Sequence, residues 1–401
     1  MIVSGLHSYA SLSALPASSR VVGAEAAVPA RIGRTWQEAH ARLLAAQPYV
    51  SAPAEALGLA VYFYCVHTAF GQEQDAALAR KLYFQGIADI ARGASEAPVP
   101  FGAAAEVAWL HARWSVATPP DVLAALDSSQ YAAALRALAS PGSGANRLLF
   151  LRALRYFSFR LPTATTLVRE LLARRPALDL QEPAVFPHRA ARAGLSLGLT
   201  DGLAGELRLL LRLERAGISD QQALAGVQTG IQHLLATRRE VDFLDHRYSV
   251  FPGQFHPLTA EPIFSAELSW RHGDQGPALL LYEAHQVLHD NELARIAELV
   301  GLHTLLRTTP ATTLVTGSSL ERGAAGIAHL YRQLHALDRH QAYWKGYVYW
   351  LEQTCDWLER EWAASSSSSA PVGSLPHGLA GSALVLLSAL VETQPDWYHL
   401  P

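Results

Sequence analysis

The sequence holds only two cysteines in 401 residues, Cys65 and Cys355, far apart and each within a stretch that reads as buried helix. That excludes a disulfide framework and any metal site drawing several thiolates from neighbouring positions, and it fits a reducing cytosol. A surplus of either charge is also missing: 32 Lys and Arg stand against 35 Asp and Glu, and no segment gathers basic residues. Nucleic acid and anionic lipid therefore meet no electrostatic footprint. The longest apolar runs, Ala56–Cys65 and Ala383–Val391, fall short of the roughly 20 residues that span a bilayer, so no membrane span and a cytoplasmic location are predicted. Residues 1–30 lack the basic start and continuous apolar run of a secretory signal. They read as a flexible leader or docking arm, leaving 31–401 as one domain. Alternation at period two is nearly absent, which argues against a sheet.

What is present is a glycine-spaced motif at the start of apolar helical runs. It occurs at Gly102–Ala105, Pro141–Gly144, Gly202–Gly205, Gly273–Gly276, Gly323–Gly326 and Gly378–Gly381, with a degraded copy at Glu55–Gly58. The fourth positions fall at 58, 105, 144, 205, 276, 326 and 381, and each interval has room for two helices and their loops. A helical hairpin cannot bury its apolar face alone, so seven of them stack until the array has a continuous core. The small residues let the helix starts approach closely. The Ser365–Ser369 run reads as a flexible loop with no chemistry.

If the array closes into a ring, the inner helix N-termini converge on one rim, where their partial positive charges favour an anion. The two residues ahead of each motif should face that rim. In the last four copies they are Thr200 and Asp201, Arg271 and His272, Glu321 and Arg322, Pro376 and His377. Asp and Thr are ordinary helix caps, but Arg and His are not preferred there, so the set points to a polar site rather than to capping.

These motifs resemble the lanthionine synthetase C family, whose members close thioether rings in lanthipeptides. Ser269-Trp270-Arg271-His272-Gly273-Asp274-Gln275-Gly276 is similar to the family's Trp-Cys-Tyr-Gly-Asp-x-Gly. Leu320-Glu321-Arg322-Gly323 stands at its Cys-His-Gly motif, Leu199-Thr200-Asp201-Gly202 at its His-Gly motif, and Phe251-Pro252 also matches. The resemblance runs from about Val50 to Pro401 and implies an all-α fold, an α/α toroid of seven inner and seven outer helices. It also implies Trp270 and Asp274 as substrate-binding residues, and a zinc ion held by two cysteines and a histidine that binds the substrate thiolate. The chain departs from the pattern at every functional position: the zinc ligands are replaced by Arg271, Glu321 and Arg322, and the proton-transfer histidine by Asp201. Guanidiniums at ligand positions repel a cation, so no zinc and no other cofactor is predicted.

The sequence therefore points to zinc-independent ring closure on a dehydrated, cysteine-bearing precursor peptide. His272 and His377 are the candidate bases, Arg271 and Arg322 the candidate stabilisers of the enolate, and Asp201 and Glu321 the carboxylates that complete the site. The wider family has multi-domain members lacking these zinc ligands, which implies that the metal is dispensable. The main rival is a non-catalytic scaffold holding the precursor for a partner dehydratase. A different metal enzyme, using His272, His377, Asp201 and Glu321, is opposed by the adjacent arginines.

Overall fold

The computed structural model describes residues 27–93, 101–114, 118–139, 144–175, 196–200, 202–218, 221–256, 259, 261–364, 372–391 and 397. Residues 1–26 of the expected arm, residues 141–143 of the third motif, Asp201 and the Ser365–Ser369 run lie outside them.

Seven inner helices form a closed ring: α2 (Pro53–Phe70), α4 (Phe101–Arg113), α6 (Gly144–Phe159), α8 (Leu203–Arg215), α10 (Gln275–Leu288), α13 (Ala324–Asp338) and α15 (Leu379–Leu390). Each packs against the next, and α15 packs back against α2. Around them lie α3 (Glu73–Gly93), α5 (Pro120–Ala139), α7 (Thr165–Ala173), α9 (Gln221–Ala236), α11 (Asn291–Thr304) and α14 (Gln341–Ala364), with a four-residue α12 (Pro310–Thr313) ahead of α13. The seventh outer helix is α1 (Ala27–Ala46), which covers α15 from the opposite end of the chain. The protein is thus an all-α, α/α toroid. The strand content among the described residues is a two-residue ladder, β1 (Gln254–Phe255) with β2 (Pro262–Ile263).

The helix sequences match these places. In α2 and α15 nearly every side chain is buried, from Ala56 to Val66 with the exception of Tyr64, and from Ala380 to Ser388, because an inner helix is enclosed by two neighbours and an outer partner. An outer helix buries one stripe, and in α1 this is Ile32, Trp36, Ala39 and Leu43. Arg31 ties α1 to α14 through Asp356 at 2.6 Å and Glu359 at 2.8 Å. In the sector of α4 to α6 the pairing loosens, and α5 packs chiefly against α6, the next inner helix.

At the far end, three inner-to-outer turns share a device absent from the sequence expectations. His67, His285 and His335 each stand nine residues after the fourth motif position. Each aims Nδ1 at the backbone carbonyl five residues on, Gln72, Asp290 and His340, at 3.0, 3.0 and 3.2 Å. An imidazole N–H facing a carbonyl can only donate, so these histidines latch the turn. The latched residues between them, Gly71, His289 and Arg339, have φ of 69°, 55° and 61°, the left-handed conformation that ends a helix.

Candidate functional site

The site is built on the loops that precede α8, α10, α13 and α15. In α8, α13 and α15 the first motif glycine is the N-cap, extended at φ −118°, −109° and −102°. The loop ahead of it folds back over the helix start. Leu203, Ala204 and Gly205 donate their N–H groups to the carbonyls of Ser196, Leu197 and Gly198, seven residues upstream, and Ala324 and Ala325 donate likewise to Gly317 and Ser318. The expectation of free helix N-termini awaiting an anion is corrected here: those amides are already spent on the loop that carries the site.

The same fold-back explains the fourth motif position. A Cβ on Gly205, Gly326 or Gly381 would overlap the carbonyl oxygen of Leu199, Leu320 or Leu375, six residues before it. The side chains at that upstream position pack sideways. Leu199 reaches the first turn of α10, where a Cβ on Gly276 would meet its Cγ at 2.8 Å, and Trp270 and Leu320 reach Gly326 and Gly381 at 3.2 and 3.1 Å. Trp270 is therefore the register equivalent of three buried leucines. It is 3% exposed and lies against His329, which stacks on Trp397. The expected contact of Trp270 with substrate is replaced by packing between loops.

Asp274 is corrected in the same way. It is fully buried, with one carboxylate oxygen accepting from the Phe251 N–H at 3.0 Å and the other from the Val250 N–H and from Arg307 at 3.1 Å. Arg307, also fully buried, further donates to the carbonyls of Thr312, Ala266 and Glu267. This pair fixes the loop before α10 from beneath. Glu361 of α14 does the same for the next loop, accepting from the Ser318 N–H at 2.8 Å and its hydroxyl at 2.7 Å. Neither Arg307 nor Glu361 sits in a motif, and only the tertiary structure brings them under the loops.

The next two positions of each loop face the rim. Neighbouring loops are joined edge to edge, Arg271 N–H to Glu321 C=O at 3.2 Å and Glu321 N–H to Pro376 C=O at 2.8 Å. Their side chains meet above this ladder. Glu321, 8% exposed, places Oε1 3.1 Å from Arg271 Nη1 and Oε2 3.0 Å from His377 Nδ1. Arg322 is exposed and has no hydrogen-bond or ion-pair partner among the described residues, yet its charge reaches His272. His272 is half-buried, its Nδ1 lacks a hydrogen-bond partner, and it lies against the backbone at Gly198. Burial pushes its pKa below the ordinary histidine value. The charges of Glu267 and Glu321 oppose that shift, and those of Arg271 and Arg322 reinforce it. Arg271, His272, Glu321, Arg322 and His377 therefore form one group. Asp201 lies outside the described residues, and its neighbour Thr200 accepts from Arg155 through its carbonyl.

The zinc ion implied by the resemblance does not fit this group. Both oxygens of Glu321 are engaged, and the two remaining ligand positions carry guanidiniums. Among the described residues, no group of three or more His, Cys, Asp or Glu side chains is placed to hold a metal, so a metal site built from His272, His377 and Glu321 is not formed either. No described helix is long and apolar enough to cross a membrane.

No family model matches the sequence, and no curated protein matches it. Among solved structures, one titled "Nisin cyclase" is similar to the chain with a TM-score of 0.67 and 13% identity, over 88% of this chain and 90% of that one. At this identity the likeness carries the architecture alone: an all-α toroid similar to that of the solved structure.

Proposed function

We propose that the protein closes thioether rings in a dehydrated precursor peptide without zinc, by adding a cysteine thiol to dehydroalanine or dehydrobutyrine. The observation that carries this is the grouping of one imidazole, its pKa lowered by burial, with a guanidinium that has no partner among the described residues, on the rim of a cyclase-like toroid. A free thiol is only a few per cent ionised near pH 7, so a neutral imidazole beside it supplies the missing base. His272 meets that need, because burial keeps it unprotonated. Addition turns the alkene into an enolate, and Arg322, which no carboxylate among the described residues neutralises, is the charge available to hold it. Arg271 is committed to Glu321 and shapes the site. Bringing thiol and alkene together over the rim supplies a further share of the rate. A lanthipeptide dehydratase, which makes the alkene, is the expected partner, and the cytoplasm the expected site of action.

Mass spectrometry of free thiol on a dehydrated precursor tests this. The protein should consume thiol, EDTA should leave the rate unchanged, and His272→Asn should slow it by about 100-fold. Because the folded pKa of His272 is depressed, the rate should hold as pH falls to the ordinary histidine value and drop only below it. Peptide binding with no thiol loss would instead establish the scaffold.

A further inference from the structure

The two rim histidines are held differently. His377 Nδ1 rests on Glu321 Oε2 at 3.0 Å, while His272 Nδ1 is buried and unpaired. They occupy the same register position in the loops before α10 and α15, and the loop carrying Glu321 and Arg322 lies between them, hydrogen-bonded to both. Two imidazoles thus flank one guanidinium, one withdrawn from water and the other seated on a carboxylate.

Addition of a thiol to an alkene needs two proton transfers at different atoms, one from sulfur and one to the α-carbon. We propose that His377 delivers the second proton, to the face of the enolate turned toward the loop before α15, and that Glu321 is its positioning residue. This assignment rests on the cyclase function proposed above. Glu321 Oε2 lies 3.0 Å from His377 Nδ1, an ion-pair contact that favours a proton on that nitrogen and leaves Nε2 for the substrate; the side chain is 58% exposed. A carboxylate behind an imidazole holds it in orientation while a proton passes through the opposite nitrogen.

The step balances. The S–H proton goes to His272 and the sulfur pair forms the S–Cβ bond. The alkene π pair becomes the enolate beside Arg322, and the α-carbon takes its proton from His377 Nε2–H as the carbonyl re-forms. Water then removes the proton from His272 and restores that of His377, so the net change is addition of S–H across the double bond.

A proton delivered from one fixed side sets one configuration at the α-carbon. The test is ring closure in D2O by wild type, His377→Asn and Glu321→Gln, followed by hydrolysis of the product and chiral chromatography with mass detection of the deuterated α-carbon. Wild type should give one configuration. His377→Asn should close rings about tenfold more slowly and give both, and Glu321→Gln should give a partial mixture. His377 is exposed and its replacement should leave the melting temperature unchanged, which separates a lost donor from a lost fold. A single configuration from His377→Asn would overturn the assignment while leaving the cyclase standing. No thiol loss with wild type would overturn both.

Discussion

The starts of the inner helices differ between the two halves of the ring. In α8, α13 and α15 a glycine N-cap follows a loop folded back over the helix, whereas in α2 and α4 the motif residues lie inside helices that begin at Pro53 and Phe101. The two positions ahead of the motif follow suit. They are Pro53 and Ala54, Pro100 and Phe101, Ala139 and Ser140 in the first half, and Thr200 to His377 in the second. One glycine spacing therefore serves two ends: close helix packing on one side, and on the other a loop whose packing residue is tucked against the next helix so that its successors are lifted onto the rim. Glutamates show the same division. Glu206 and Glu106 each follow the fourth motif position, but Glu206 is held by Arg147 and Arg175, whereas Glu106 is 5% exposed with no ion-pair partner among the described residues, and burial pushes its pKa up to about 8.

This contrast can be broken at its strongest point first. Arg307→Met leaves Asp274 buried without its counter-charge, and should cost about 4 kcal/mol in urea unfolding together with the ring closure proposed for His272. Gly326→Ala should follow at about 3 kcal/mol, since its Cβ overlaps the Leu320 carbonyl and presses on Trp270. The control is Gly33→Ala in α1, whose nearest neighbour, Leu390, is 4.0 Å away; it should stabilise by up to about 1 kcal/mol.

In the first half the effect should run the other way. A carboxyl raised from 4.5 to about 8 keeps in the folded state a proton that the unfolded chain has released, so stability falls as pH rises between those values and levels off above. Glu106→Gln removes that loss, and should stabilise by about 3 kcal/mol at pH 7 and much less at pH 5, read from urea midpoints across pH. The smallest effect is expected at the rim itself. Arg271→Gln should cost less than about 1 kcal/mol, because that guanidinium is 36% exposed and the backbone ladder to Glu321 persists without it.

The repeat spacing made the toroid legible, because each motif glycine answers a local steric demand that leaves a mark in the sequence. The rim positions were legible for the same reason, by counting back from those glycines. Trp270 and Asp274 were misjudged because a loop's packing residue and its rim residues are neighbours in the chain, and only register separates them. Leu199, Leu320 and Leu375 stand at the position of Trp270 and would have identified it as core. The anchors Arg307 and Glu361 left no such mark, since a single charge in the loop after α11 or near the end of α14 has no periodic neighbour to announce it. The histidine latches at 67, 285 and 335 did carry a spacing signal, nine residues after the motif, that was visible beforehand.

The pairing of α1 with α15 has a consequence for how the chain is made. Of all the described helices, α1 leaves the ribosome first and its partner leaves last. Through most of translation Ile32, Trp36, Ala39 and Leu43 lack α15, so a nascent chain carries an apolar stripe whose main cover is made late. The α1–α15 contact also closes the ring beside the loop before α15, so the outer face of that rim loop depends on a helix from the other end of the described residues.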